Sequence, residues 1–167
     1  MARLKYYSTN DEKTHEIGDS DVPSGPKRVL IVEDEAEFAM MIKEFLESQG
    51  NFLVTFASDG VVAIKQVMAG DFDVILCDMV MPNLAGDMFY LAVERVRPHL
   101  CKRFIFMTGH KGDAKIAAFI RKVRGLVLWK PFEMYMLMEA INAVEKKIAS
   151  DSAQNGDSIG GTAGITG

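Results

Sequence analysis

The chain has 167 residues, 49% of them hydrophobic and 25% charged, enough for one well-packed domain and too few for two ordinary ones. Its net charge of −4 leaves no electrostatic footprint for nucleic acid, which calls for a clustered basic face. Two cysteines, Cys77 and Cys101, are too few for a disulfide framework and fit a reducing compartment. The first ten residues hold no apolar core of signal-peptide length, and no apolar segment approaches bilayer length. The expected location is the cytoplasm.

Residues 1–26 are polar and without periodicity, and the segment Asp21-Val22-Pro23-Ser24-Gly25-Pro26 reads as a flexible lead-in. Val29-Leu30-Ile31-Val32 is a short branched run expected for a strand covered on both faces. A helical pattern follows from Ala36 to about Gln49, with Phe38, Met41, Ile42 and Phe45 as its apolar stripe and Gly50 at its stop. Phe52 to Phe56 reads as the second strand. Ser58 is the expected cap of the next helix, with Val61, Val62, Ile64 and Val67 inward and Gly70 closing it. Val74-Ile75-Leu76-Cys77 is a third buried strand, followed by a helix from about Ala85 to Arg97 that stops before Pro98. Phe104 to Met107 is the fourth strand, and a helix runs from about Asp113 to Val123. Leu126 to Trp129 and Phe132 to Ile148 complete the alternation. The Gly-, Ser- and Thr-rich residues 150–167 read as a flexible tail. The folded block is therefore residues 27–149.

Five strand–helix units imply an α/β fold: a doubly wound, five-stranded parallel sheet with helices on both faces. Functional residues in such sheets gather at the carboxyl ends of the strands. Here those ends deliver Glu33-Asp34-Glu35, Asp78, Thr108 and Lys130-Pro131. Crowded carboxylates raise one another's pKa and need a cation, which Lys130 or a metal supplies. An all-oxygen donor set that keeps waters suits Mg²⁺. Asp78 is the natural nucleophile for a phosphoryl group, being central and followed by a turn.

Taken one at a time, these features have simpler explanations. Glu33, Asp34 and Glu35 favour a helix N-terminus, Lys130 suits a surface and Thr108 a turn. Asp78 resists this reading, because an acid after an apolar strand is costly without a partner. His110 lacks a second ligand at metal-binding spacing, His99 reads as surface, and His15 falls in the lead-in. Met134, Met136 and Met138 with Tyr135 accompany the stripe Leu137, Ile141, Val144 and Ile148. They read as gap fillers first and as an adaptable docking surface second.

Val-Leu-Ile-Val-Glu-Asp-Glu (29–35), Asp-Met-Val-Met-Pro (78–82) with Gly86, Phe-Met-Thr-Gly (106–109) and Lys-Pro-Phe (130–132) resemble the signature segments of response-regulator receivers. The flavodoxin-like receiver fold is what the resemblance implies, over about Lys27 to Ile148. It makes Asp78 the acceptor of a phosphoryl group from a histidine kinase or phosphotransfer protein. Glu33, Asp34, Asp78 and the backbone carbonyl of Val80 would hold Mg²⁺, Glu33 through water. Thr108 would bind a phosphoryl oxygen, and Lys130 would pair with Asp78 and then with the phosphoryl group. The Lys130–Pro131 bond would be cis, and Gly86 would permit the sharp loop after Pro82. The module would be no enzyme beyond its own slow phosphoryl chemistry. It would act without an effector domain, as a free-standing receiver or as part of a hybrid kinase. Its downstream protein partner would dock on the fourth helix, fifth strand and fifth helix, with neither nucleic acid nor membrane involved.

Two positions depart from the common pattern. Glu33 stands where many receivers have Asp and keeps the charge. Val127 stands where many carry the aromatic residue that rotates with the threonine, so the signal is expected to travel differently. Val80 and His110 occupy positions that tune phosphoryl lifetime, and an apolar Val80 predicts a long-lived phosphoaspartate. Two other classes are disfavoured. A haloacid dehalogenase-type phosphohydrolase needs a carboxylate where Val80 stands, and a flavodoxin needs a hydroxyl- and glycine-rich phosphate loop where Glu33-Asp34-Glu35 stands.

Overall fold

The computed structural model describes residues 25–156. Strands β1 (Lys27–Val32), β2 (Phe52–Ala57), β3 (Val74–Asp78), β4 (Phe104–Thr108) and β5 (Leu126–Trp129) alternate with five helices. These are α1 (Ala36–Ser48), α2 (Gly60–Ala69), α3 (Gly86–Val96), α4 (Ala114–Val123) and α5 (Met134–Gly156). The strands form one parallel sheet in the order β2-β1-β3-β4-β5. The order reverses between β1 and β3, which opens a crevice at their carboxyl ends. This is the doubly wound sheet expected.

The apolar runs of the central strands β1, β3 and β4 are explained by burial on both faces. Along β1, Leu30 and Val32 join one core with α2, α3 and α4, while Val29 and Ile31 join another with α1 and α5. β3 divides in the same way, with Ile75 and Cys77 on one side and Val74 and Leu76 on the other. The first core is strongly aromatic. Tyr90 lies 5.1 Å from Phe104 and 5.6 Å from Phe119, both edge-on, a geometry that adds to area burial.

Several local expectations shift. The buried stripe of α1 is Ala39, Ile42 and Leu46, with Phe38 and Phe45 half-buried at its margins and Met41 exposed. In α2 the buried residues are Gly60, Ala63 and Val67, and Val61 is exposed. In both helices small residues share the buried line with larger ones, Ala39 in α1 and Gly60 and Ala63 in α2, so a count of large apolar residues misplaces it. Ser58 does not cap α2; Asp59 does, its Oδ1 accepting from the N–H groups of Val61 at 2.8 Å and Val62 at 2.9 Å. Asp59 directly precedes Gly60, so its carboxylate, and not the Ser58 hydroxyl one residue earlier, reaches the free N–H groups of the first turn. A short 3-10 turn at Pro98–Arg103 was not expected from the pattern. α5 continues past residue 149, where the sequence reading starts the tail, to Gly156. On α5 Leu137, Ile141 and Val144 are buried, Met134 and Met138 pack partly on the core, and Tyr135 and Met136 are exposed. Gap filling therefore accounts for two of the three methionines. The lead-in through residue 24, with His15, and the tail from residue 157 lie outside the described residues.

Candidate functional site at the carboxyl edge of the sheet

Glu33, Asp78 and Thr108 are the buried polar or charged residues among those described, at 1%, 7% and 0% exposure. Each leaves the carboxyl end of a central strand, so each is placed by an apolar run that cannot move without uncovering core. Lys130 follows β5, and its N–H donates to the Thr108 carbonyl at 2.9 Å. Its Nζ donates to Glu33 Oε2 at 2.6 Å and to Asp78 Oδ2 at 2.8 Å. The resemblance implied the second bond. The first, across 97 positions of sequence, is new. Thr108 Oγ1 accepts from the His110 N–H at 3.2 Å, while the His110 side chain is exposed.

The electrostatics follow from that burial. Loss of water pushes the Glu33 carboxyl up from 4.5 to about 7, the Lys130 hydrogen bond opposes this, and the negative charge of Asp78 adds to it. Burial alone would lower the Lys130 ammonium, but hydrogen bonds to Asp78 and Glu33 more than offset it and leave it raised. One carboxylate oxygen each from Glu33, Asp34 and Asp78 lies within 4.8 Å of the others. With all three ionised, the carboxylates exceed the one ammonium by two negative charges. The donors are all hard oxygens and Asp34 is exposed, so the set fits a small divalent cation that retains water, such as Mg²⁺.

The wall of the crevice is the loop from β3 to α3. Val80 donates its N–H to Asp78 Oδ1 at 3.1 Å, and its side chain is 48% exposed. Asn83 adopts a left-handed conformation, φ 63°. Its Nδ2 donates to Asp59 Oδ2 at 3.0 Å, so the residue that caps α2 also holds this loop. Gly86 opens α3, and its reason differs from the one expected. The loop's left-handed residue is Asn83, whereas a Cβ on Gly86 would stand 2.3 Å from the Asp78 carbonyl oxygen. Gly86 is needed for close approach of helix to strand, and its N–H donates to the Met79 carbonyl at 3.2 Å.

The structure thus gathers Glu33, Asp34, Asp78, Thr108 and Lys130 at one edge, with the Val80 backbone beside Asp78. Lys130–Pro131 is cis. Val127 is half-buried against the aromatic core. His99 is exposed and lies 2.8 Å from Asp71 at the opposite end of the sheet. Sequence reasoning missed Asp59 and Asn83, although Asp-Gly ahead of an apolar helix is a legible capping signal. It also read Phe38 only as a core residue. The Phe38 ring centroid lies 4.5 Å from Lys130 Nζ.

Comparison with known proteins agrees with this arrangement. The model of the response regulator receiver domain matches residues 29–142, more than half of the chain. Transcription factor SKN7 of Candida albicans is 32% identical over 126 residues, which are 75% of this chain and 22% of that protein. The chain therefore spans about a fifth of that relative's length. Chemotaxis protein CheY of Pseudomonas aeruginosa is 31% identical over 124 residues, 72% of this chain and 98% of that one. A solved structure of Vibrio cholerae chemotaxis protein CheY4 superposes with a TM-score of 0.65 at 26% identity, over 72% of this chain and 99% of that chain.

Proposed function

This chain belongs to the response-regulator receiver family of two-component signalling, and we propose that it is a phosphoacceptor switch whose acceptor is Asp78. Receivers interact with histidine kinases or phosphotransfer proteins and generally bind Mg²⁺ at an acidic pocket. For this chain the reading is that a phosphohistidine on such a partner is the donor. The observation that carries it is the buried Asp78 carboxylate held 2.8 Å from Lys130 Nζ, with Glu33 and Asp34 within reach.

An Asp78 carboxylate oxygen attacks phosphorus, the phosphorus–nitrogen bond of the donor breaks, and its electron pair leaves with the donor imidazole. The product is an acyl phosphate on Asp78. As the carboxylate becomes an ester-like carbonyl, Lys130 turns its ammonium to a phosphoryl oxygen, and the Thr108 hydroxyl donates to another. Glu33, Asp34, Asp78 and the Val80 carbonyl would hold Mg²⁺, which when bound neutralises charge on the phosphoryl oxygens. The reading includes no catalysis on outside substrates. Among the described residues no helix is long and apolar enough to cross a membrane, which is compatible with a place in the cytoplasm. Output is assigned to the face of α4, β5 and α5, where Leu126, Tyr135 and Met136 are exposed.

The test is incubation with acetyl phosphate, with and without Mg²⁺, read by intact mass. A Mg²⁺-dependent gain of one phosphoryl group that vanishes in Asp78→Asn supports the switch. No gain under any condition rejects it in favour of a docking module. The apolar Val80 side chain at the mouth of the site cannot hold a hydrolytic water by hydrogen bonding. The phosphoryl group on the wild type should accordingly outlast that on Val80→Asn, and a wild-type half-life of seconds, shorter than the variant's, would count against this.

A further inference from the structure

The Lys130 ammonium has three N–H donors, and its two carboxylate bonds, to Glu33 and Asp78, are given above. On a further side stands the ring of Phe38, its centroid 4.5 Å from Nζ, well inside the distance at which a ring face attracts a cation. Only 20% of the Lys130 side chain is exposed, and the attraction grows as water is excluded. The ring is itself braced. Phe132, two residues beyond Lys130, meets it edge-on at 5.7 Å and 73°. The loop from β1 to α1 thus supplies Glu33 and Asp34 to the site, and the first turn of α1 supplies an aromatic face.

We propose that Phe38 is a positioning residue of the site, its ring face holding the Lys130 ammonium in line between Glu33 and Asp78. This rests on the phosphoacceptor reading given above. Two carboxylates compete for one flexible lysine, and on phosphorylation the negative charge of Asp78 passes from its carboxyl oxygens to the phosphoryl group. The attraction of the ring does not change during that step. It keeps the ammonium at the crevice while its partner is replaced by a phosphoryl oxygen, and so limits the orientations that Lys130 must search. A purely structural Phe38 would cover the joint between α1 and the β5–α5 loop, and any apolar side chain of similar volume would serve.

The two accounts separate when the ring keeps its shape and loses its electrons. Phe38 is replaced in the full chain by 4-fluoro-, 3,5-difluoro- and 3,4,5-trifluorophenylalanine, and by leucine. Phosphorylation by acetyl phosphate with Mg²⁺ is timed by intact mass. The rate should fall stepwise along the fluorinated series, reaching about 3- to 10-fold with the trifluoro ring and leucine, while Phe38→Trp retains the wild-type rate. A flat series in a protein that still takes up phosphate overturns the proposal and leaves the phosphoacceptor reading standing. A wild type that takes up no phosphate overturns both. The contact has its own readout that needs no phosphate: the Lys130 Hε resonances should lie upfield through the ring current and return toward ordinary lysine values in Phe38→Leu. Unshifted Lys130 resonances in the wild type would likewise overturn the proposal.

Discussion

β3 carries an acid at each end, and the two have nothing else in common. Asp78, at its carboxyl end, is 7% exposed and bonded to a half-buried lysine that Glu33 shares. Asp73, just before its amino end, has a side chain 47% exposed, accepts from the Arg28 N–H at 2.8 Å and faces Arg103 at 3.4 Å. Around it lie other solvated pairs: Arg97 and His99 with Asp71, and Lys102 with Asp151. Pairs in water contribute about 0–1 kcal/mol each, whereas a carboxylate taken out of water is stable only in a complete arrangement. The same residue types therefore make a surface at one end of the sheet and a buried, charge-paired cluster at the other. Depth decides which.

The sharpest break in the comparison is chemical. Asp78→Asn should abolish phosphorylation by acetyl phosphate, and Asp73→Asn should leave its rate unchanged, both by intact mass. Loss of phosphorylation in Asp73→Asn as well would show that the two ends are not independent.

The next largest effect is on pH. Native Glu33 holds its proton up to about 7, while the unfolded chain releases it near 4.5. Between those values the native state binds more protons, so this group's contribution to stability falls as pH rises through the window, by roughly 3 kcal/mol. Glu33→Gln should remove that fall, making the protein more stable than wild type at pH 8 in urea unfolding without Mg²⁺. Because a proton competes with the cation, wild-type Mg²⁺ affinity should climb as pH rises through about 7, a trend that titration calorimetry measures and that Glu33→Gln should flatten. Asp71 offers the contrast: hydrogen bonding to His99 and the nearby Arg97 hold it below its usual range, so its contribution has the opposite sign and is lost only as pH falls into the acid range.

A smaller effect tests rigidity. A methyl on Gly86 meets the Asp78 backbone at 2.3 Å, whereas one on Gly70 meets the guanidinium end of Arg28 at 2.7 Å. Backbone cannot yield and a side-chain tip can, so Gly86→Ala should cost about 1–3 kcal/mol and slow phosphorylation. Gly70→Ala, at φ −170°, should stay within about 0.5 kcal/mol of wild type. Equal losses in chemical denaturation would remove the distinction. The smallest effect is Lys102→Ala, which breaks the exposed pair with Asp151. It should cost under about 1 kcal/mol, and less still in high salt.

Much of this was legible along the chain. The central runs β1, β3 and β4 are strands whose burial on both faces demands uninterrupted branched and aromatic residues, the edge strands β2 and β5 are only partly covered, and the helices between them show their own spacing. The acids, hydroxyl and lysine of the site stand directly after those runs, so their convergence follows once the sheet is parallel. Less was legible wherever a partner is distant or small. Ala39 and Ala63 line the sheet although larger neighbours drew the eye. Asp59 rather than Ser58 caps α2, and Gly86 is required by a backbone it approaches, not by its own loop.

What the sequence by itself determined is the order of elements and the chemical types at each strand end, because periodicity and punctuation act over a few residues. What only the tertiary structure decided is which charges meet and how dry they are. Lys130 reaches Glu33 across 97 positions and Asp78 across 52, and Phe38 faces Lys130 because α1 packs against the loop after β5. Coulombic strength depends on separation and on exclusion of water, and neither quantity is a property of a residue's neighbours in sequence.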